Sequence, residues 1–118
     1  MRLTRNFTRA EFTCQCGCGF NTVDYELVNI LQVVRDHFKK PIAITSGCRC
    51  ARHNRKVGGS ENSLHRIGRA ADFKVIGVEP EEVYKALDQY LKNRCGLGLY
   101  KSWVHIDTRS GKAARWRG

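Results

Sequence analysis

The chain has 118 residues, enough for a single modest core, and we predict one domain over residues 1–118. Its 21 Lys and Arg against 11 Asp and Glu give a formal net charge of +10, which favours anionic partners such as nucleic acid, membrane surfaces or cell wall. No apolar run approaches the roughly 20 residues that span a membrane. The basic N-terminus lacks the apolar stretch of a secretory signal peptide, so we expect synthesis in the cytoplasm without one.

The first half of the chain is predicted from caps and periodicity. Residues 8–11 have the form of a capping box and predict a short helical turn. A loop rich in Cys and Gly follows over 14–19. From Asn21 or Thr22 a helix is predicted, ending before Pro41. Its apolar residues recur at steps of three and four: Leu27, Ile30, Leu31, Val34 and Phe38.

The second half predicts short strands around one more helix. Residues 48–68 are rich in Gly, Ser, Asn and Arg and predict a long ordered loop, a feature typical of functional segments. Pro80 opens a second helix that ends near Asn93. Strands are predicted over 42–45, 70–76, 97–100 and 103–107. The order of elements favours an α+β fold, a small mainly antiparallel sheet with two principal helices.

Two of the four histidines are candidate metal ligands. His37 lies late in the first helix and His53 lies in the basic loop, where structural roles suffice. His65 ends the long loop, Asp72 lies in the next strand, and His105 lies in the last predicted strand. Two imidazoles and one carboxylate, with a fourth position open, form the ligand set of hydrolytic zinc sites. Spacing alone also allows ordinary polar roles, because no local HExxH motif is present.

The segment Ser63–Asp72 reads SLHRIGRAAD and matches the pattern S-x-H-x-x-G-x-A-x-D. This pattern resembles the motif of the zinc D-Ala-D-Ala carboxypeptidase family, which includes vancomycin-resistance dipeptidases and phage endolysin peptidases and shares its fold with the hedgehog signalling domain. Residues 45–50 are similar to the family's T-S-G-x-R segment. Residues 103–107, WVHID, are similar to its terminal strand. The resemblance extends from about Phe7 to Arg109 and implies the hedgehog/DD-peptidase fold.

The resemblance also implies roles for particular residues. It makes His65, Asp72 and His105 the ligands of one Zn²⁺ ion. It makes Arg49 the residue that binds the substrate carbonyl or carboxylate and stabilises the oxyanion, a role that suits a fixed guanidinium. Ser63 either contacts substrate, braces the loop or caps a turn.

One position departs from the family's pattern. The vancomycin-resistance dipeptidases carry a glutamate three residues before the last ligand as general base, and Ser102 stands there in this chain. Asp107, on the same strand face as His105, is the best placed substitute for that base. It could equally be a partner that orients a ligand.

Five of the six cysteines form two clusters on either side of the first helix, and we predict a structural role for them. Disulfides, a second zinc site and free thiols remain open, because the C-x-C spacings are tighter than those of zinc ribbons. The clustered residues are Cys14, Cys16, Cys18, Cys48 and Cys50.

Together these features predict a monomeric zinc metallopeptidase that hydrolyses peptidoglycan peptides as a D-Ala-D-Ala carboxypeptidase or endopeptidase. It would act on the cell wall or in the periplasm after release, as a phage or prophage lysis enzyme. One alternative is a non-catalytic zinc-binding module of the same fold that binds the wall. Another is a basic nucleic-acid binder built on the cysteines, but the sequence shows no basic helix interleaved with aromatics and we expect no specific nucleic acid partner.

Overall fold

The computed structural model describes residues 2–118 and has the predicted α+β architecture. The helices are α1 (Tyr25–Phe38), α2 (Ala51–Lys56) and α3 (Pro80–Leu91), with 3₁₀ turns at Arg9–Phe12 and Leu64–Ile67. The strands are β1 (Arg2–Thr4), β2 (Phe7–Thr8), β3 (Ile42–Ser46), β4 (Ala70–Val75), β5 (Gly96–Leu99), β6 (Val104–Asp107) and β7 (Ala114–Arg117). Within residues 2–118, no helix is both long enough and apolar enough to cross a membrane.

A five-stranded sheet in the order β3-β4-β6-β5-β7 forms the centre of the fold. Its pairs are antiparallel except for the last, in which β7 runs parallel to β5. The sheet is therefore mainly antiparallel, as predicted, but β7 was not predicted because its sequence reads as a basic tail. Arg115 holds this strand in place by donating hydrogen bonds to the carbonyls of Lys92, Arg94 and Cys95.

The core lies between one face of this sheet and the two long helices. Alternation along each strand sends apolar side chains to that face and polar or small ones to the other. The helices contribute buried residues at helical spacing, Leu27, Leu31, Val34, Val83, Leu87 and Leu91. The strands contribute Ala71, Phe73, Leu97, Leu99, Val104 and Ile106. The opposite face is left free to carry the polar side chains described below.

Helix α1 begins at Tyr25, three or four residues later than predicted. The preceding Asp24 has an extended backbone, and its N–H donates to the Gly68 carbonyl over 2.8 Å. The Asp24 carboxylate accepts a hydrogen bond from the Thr108 hydroxyl, also over 2.8 Å. Both partners are distant in the sequence, so local propensity could not place this boundary.

The predicted loop over 48–68 is partly wrong, because it contains α2 and the second 3₁₀ turn. Helix α2 has six mostly polar residues, and its buried Asn54 donates to the Ser60 carbonyl over 2.8 Å. Gly68 ends the 3₁₀ turn with a φ of +71°, and a Cβ there would lie 2.4 Å from the Thr22 carbonyl oxygen. Glycine at this position both permits the turn and lets the segment before α1 approach it.

Candidate metal centre

A row of residues crosses the open face of the sheet. Strand register pairs Ser46 with Asp72, Asp72 with His105, His105 with Gly98, and Gly98 with Trp116. Directly paired residues share a face, so these side chains lie along one line. A Cβ on Gly98 would lie 2.5 Å from the Trp116 ring, and its absence leaves room for that ring beside His105, with 5.2 Å between centroids.

His65 reaches the row from the second 3₁₀ turn and is only 3% exposed. Ser63 caps that turn, since its Oγ accepts the His65 backbone N–H over 3.2 Å. The ring Nδ1 lies 2.7 Å from the Gly47 carbonyl oxygen, which can only accept, so Nδ1 carries the proton. The lone pair of Nε2 is thereby free, and Nε2 lies 3.4 Å from Asp72 Oδ1.

Three donor atoms converge at Asp72. Its Oδ1 lies 3.4 Å from His65 Nε2 and 2.9 Å from His105 Nδ1, and donor atoms of all three residues lie within 4.8 Å of one another. Zinc binds imidazole nitrogen and carboxylate oxygen at about 2.0–2.2 Å, so neighbouring ligands of a tetrahedral ion lie roughly 3.4 Å apart. The separations and the chemistry of the donor set both fit a zinc ion.

The ionisation of this cluster follows from its hydrogen bonds. Burial raises the pKa of the Asp72 carboxyl, but its contacts with His105 and His65 outweigh it and hold that pKa well below its usual range. Burial lowers the pKa of His105, and its contacts with Asp107 and Asp72 raise it more. Asp72 is therefore a carboxylate, as a metal ligand must be.

Asp107 lies behind His105 and is 1% exposed. Its Oδ2 is 2.8 Å from His105 Nε2, on the edge of the ring away from Asp72. Arg109 forms a two-point contact with the same carboxylate, Nε to Oδ1 at 2.9 Å and Nη2 to Oδ2 at 2.8 Å. Burial raises the pKa of Asp107, but Arg109 and His105 together bring it well below its usual range. Of the two roles that the sequence left open, these contacts favour the orientation of His105, and the general-base role stays a prediction.

Arg49 is fixed on the other side of Asp72. Its Nε donates to Ser46 Oγ over 3.3 Å and its Nη1 to Asn54 Oδ1 over 3.1 Å. Its Nη2 lies 3.7 Å from Asp72 Oδ2. Asn54 is buried and its own amide is held by the Ser60 carbonyl. Ser46 and Asn54 thus hold the guanidinium in one orientation. The sequence did not predict that Asn54 positions Arg49.

A cavity of about 260 Å³ opens onto these groups. One wall is aromatic: the Tyr100 and Trp103 rings stack with centroids 4.6 Å apart, and Trp116 Nε1 donates to the Tyr100 hydroxyl over 2.9 Å. Sequence reasoning missed this wall, although Tyr100 and Trp103 flank the turn before β6. The lining consists of Arg49, His65, Asp72, Tyr100, Trp103, His105 and Trp116.

Ser63 and Ser102 lie outside that lining. The Ser63 hydroxyl caps the 3₁₀ turn and does not line the cavity, so its contact with substrate stays a prediction. Ser102, the position that departs from the pattern of the vancomycin-resistance dipeptidases, is exposed and borders a different cavity of about 450 Å³ near the start of α3. His37 and His53 also lie outside the metal centre, as expected.

The predicted structural cysteines separate into two groups. The sulfurs of Cys14, Cys16, Cys18 and Cys50 converge. Cys48 lies apart: it is 2% exposed, and its Sγ donates to the Phe20 carbonyl over 3.1 Å. Burial raises the pKa of the Cys48 thiol to about 11, in keeping with a protonated donor.

Comparison with protein families matches residues 5–107 to the model described as Peptidase M15. The chain belongs to the peptidase M15 family. The resemblance in the sequence is thereby confirmed, and the matched range contains all three converging donors together with Arg49 and Asp107. Members of the family are metal-dependent peptidases, so the chain is a metallopeptidase by membership. A search of curated proteins found no match.

Proposed function

We propose that this M15 peptidase uses one Zn²⁺ ion, held by His65, Asp72 and His105, to hydrolyse peptide bonds next to D-residues in bacterial peptidoglycan. The observation that carries the proposal is the convergence of these donors at the floor of an accessible cavity. An arginine and an aromatic wall border the same cavity. A D-Ala-D-Ala carboxypeptidase and an endopeptidase are the two forms that this activity could take.

Zinc at this position would supply a Lewis acid for the scissile carbonyl and would acidify water. The chain's own residues supply position and charge. Arg49 directs a fixed cation toward developing negative charge, which is worth most in a site that excludes water. Asp107 holds the His105 ring by its Nε2, which leaves Nδ1 to face Asp72. The stacked rings of Tyr100 and Trp103 offer a flat surface against which a short peptide can lie.

The net charge supports a wall substrate. A charge of +10 attracts the protein to anionic polymers such as teichoic acids and peptidoglycan. We propose that the protein is a single-domain monomer that acts on the wall or in the periplasm after release, as a phage or prophage lysis enzyme.

The test is digestion of purified peptidoglycan by the full chain, followed by mass analysis of the released products. Free D-Ala as the sole product would indicate a carboxypeptidase, and separated cross-linked peptides would indicate an endopeptidase. Chelation should stop release and added zinc should restore it. Intact peptidoglycan after incubation with zinc-loaded protein would contradict the proposal. His37→Ala, which alters an exposed histidine outside the cavity, is the matched control and should leave product release unchanged.

A non-catalytic module that binds the wall is the second candidate function, and one observation favours it. Among the described residues that line the cavity, Asp72 is the one carboxylate, so a separate proton acceptor is missing from the lining. This candidate predicts zinc-dependent sedimentation with peptidoglycan without any released product. The digestion experiment therefore separates the two functions directly.

Asp107→Asn should weaken zinc binding by about 10- to 100-fold, the usual cost of losing the partner of a metal-bound histidine. The amide keeps the size of the side chain but loses the charge that contacts His105 and Arg109. If Asp107 orients the ligand, hydrolysis should largely return when zinc is raised to saturation. Competition with a chromophoric chelator measures the affinity.

A general base would give the opposite pattern for Asp107→Asn: unchanged zinc affinity and a loss of kcat that saturating zinc does not repair. The matched control is Asp88→Asn, because Asp88 is also a carboxylate paired with an arginine, Arg115 at 2.7 Å, but is far more exposed. Its zinc affinity and activity should equal those of the unaltered protein.

A further inference from the structure

Four cysteine sulfurs converge where the loop before α1 meets the start of α2. Cys14 Sγ and Cys16 Sγ are 3.6 Å apart, as are Cys16 Sγ and Cys50 Sγ, and all four sulfurs, including that of Cys18, lie within 4.8 Å of one another. All of these cysteines are free thiols. Zinc binds thiolate at about 2.3 Å, so sulfurs on one tetrahedral ion lie roughly 3.8 Å apart. The observed spacing is that of ligands around a single ion.

Backbone N–H groups are directed at the same sulfurs. The N–H of Cys50 donates to Cys14 Sγ over 3.4 Å, that of His53 to Cys50 Sγ over 3.4 Å, and that of Phe20 to Cys18 Sγ over 3.5 Å. Such donors stabilise the negative charge of a sulfur that has lost its proton to a metal. The backbone thus provides the second layer of contacts that a metal–thiolate site needs.

The fifth clustered cysteine, Cys48, is not a ligand of this site, because its thiol is engaged elsewhere. The Cys48 thiol donates a hydrogen bond to the Phe20 carbonyl, and its sulfur is not among the four that converge. The site is therefore a set of four ligands, three from the loop and one from the start of α2. Four sulfur donors in this arrangement select zinc or iron among the common protein metals.

Charge also favours the site. Four thiolates around one divalent cation carry an excess of about two negative charges. The segment that supplies Cys50 is strongly basic, with Arg49, Arg52, Arg55 and Lys56 in eight consecutive residues. A negative centre at this position partly offsets the local repulsion among those cations.

We propose that Cys14, Cys16, Cys18 and Cys50 bind one zinc ion, separate from the metal centre on the sheet. The ion links the loop before α1 to the residue next to Arg49 in the chain. It has a structural role, since four protein ligands leave no open position for a substrate. Binding releases the protons of the thiols, and no oxidant is required.

The first experiment measures zinc in the full chain, purified under reducing conditions, by elemental analysis. Cys16→Ser should hold about one zinc ion fewer per chain than the unaltered protein. Cys48→Ser is the matched control, because serine can still donate to the Phe20 carbonyl, and its zinc content should not change. Equal zinc content in Cys16→Ser and the unaltered protein would overturn the proposal, as would bound iron in place of zinc.

A second experiment uses the unaltered protein and so does not depend on the folding of a variant. Cobalt bound to four thiolates gives an intense sulfur-to-metal charge-transfer absorption, which cobalt on His65, Asp72 and His105 cannot give. We expect that absorption in the cobalt-loaded chain and in Asp72→Asn. Its absence, or a disulfide between Cys16 and Cys50 in the purified protein, would overturn the proposal. Neither result depends on peptidase activity, so the proposed function stands or fails separately.

Discussion

Asp72→Asn should lower the rate of peptidoglycan hydrolysis by about a thousandfold or more. Asp72 Oδ1 is the atom that both histidines approach, and its charge compensates part of the charge of a divalent ion. A neutral amide keeps the volume of the side chain but is a weak metal ligand. A bound metal lowers the activation barrier by several kcal/mol as a Lewis acid, and roughly each 1.36 kcal/mol is a factor of ten in rate. The measurement is kcat/KM on a peptidoglycan peptide together with zinc content, which should fall by about one ion per chain.

The matched control for this variant is Asp36→Asn. Asp36 is an exposed carboxylate on α1 that accepts a hydrogen bond from Gln32 over 3.0 Å and is not part of the cavity lining. Its activity and zinc content should be unchanged. Retention of activity within about tenfold by Asp72→Asn would show that this carboxylate does not hold the catalytic metal. Circular dichroism of both variants separates loss of the ligand from loss of the fold.

The long elements could be predicted because their own sequences specify them. The apolar stripe of α1 and the Pro80 start of α3 depend on neighbours within a few turns. Two elements that were missed carry no such pattern. Helix α2 is short and polar and is held by the hydrogen bond from Asn54 to the Ser60 carbonyl. Strand β7 is held by hydrogen bonds from Arg115 to carbonyls about twenty residues earlier in the chain.

The metal centre shows the same division. His65, Asp72 and His105 could be selected because they stand in a recognisable pattern of residue types. Trp116 could not, because it reaches the cavity only when β7 pairs with β5 and Gly98 leaves space for the ring. The contacts of Asp107 also needed the structure, since a shared strand face does not reveal which ring edge of His105 it meets.

The two proposed zinc sites are joined by a short stretch of chain. Cys50 is adjacent to Arg49, and Asn54, which accepts a hydrogen bond from Arg49, lies one helical turn later. The same segment therefore connects the cysteine cluster to the cation beside Asp72. Loss of the cysteine-bound ion should accordingly affect the position of Arg49 before it affects His105, which is held by the sheet.

Arg49→Ala should lower hydrolysis by about 100- to 1,000-fold, the usual cost of removing one donor to a developing oxyanion. Arg49→Lys should recover little of this loss. Lysine keeps the charge but cannot contact Ser46 and Asn54 while also facing Asp72, as the guanidinium does. Arg55→Ala, at an exposed position of α2, is the matched control and should retain full activity. Full activity in Arg49→Ala would remove this residue from the mechanism.

The way in which Arg49→Ala loses activity also separates the two roles that its position allows. Loss of a contact made only in the transition state lowers kcat. Loss of a contact with the terminal carboxylate of a bound substrate raises KM. The second role makes a further prediction: amidation of the substrate's C-terminus should cost the unaltered protein as much as Arg49→Ala does, and the two changes together should cost no more than either alone. If amidation instead costs the unaltered protein nothing, Arg49 is assigned to the oxyanion. That result would favour an endopeptidase, because the cleft would then have no receptor for a chain end.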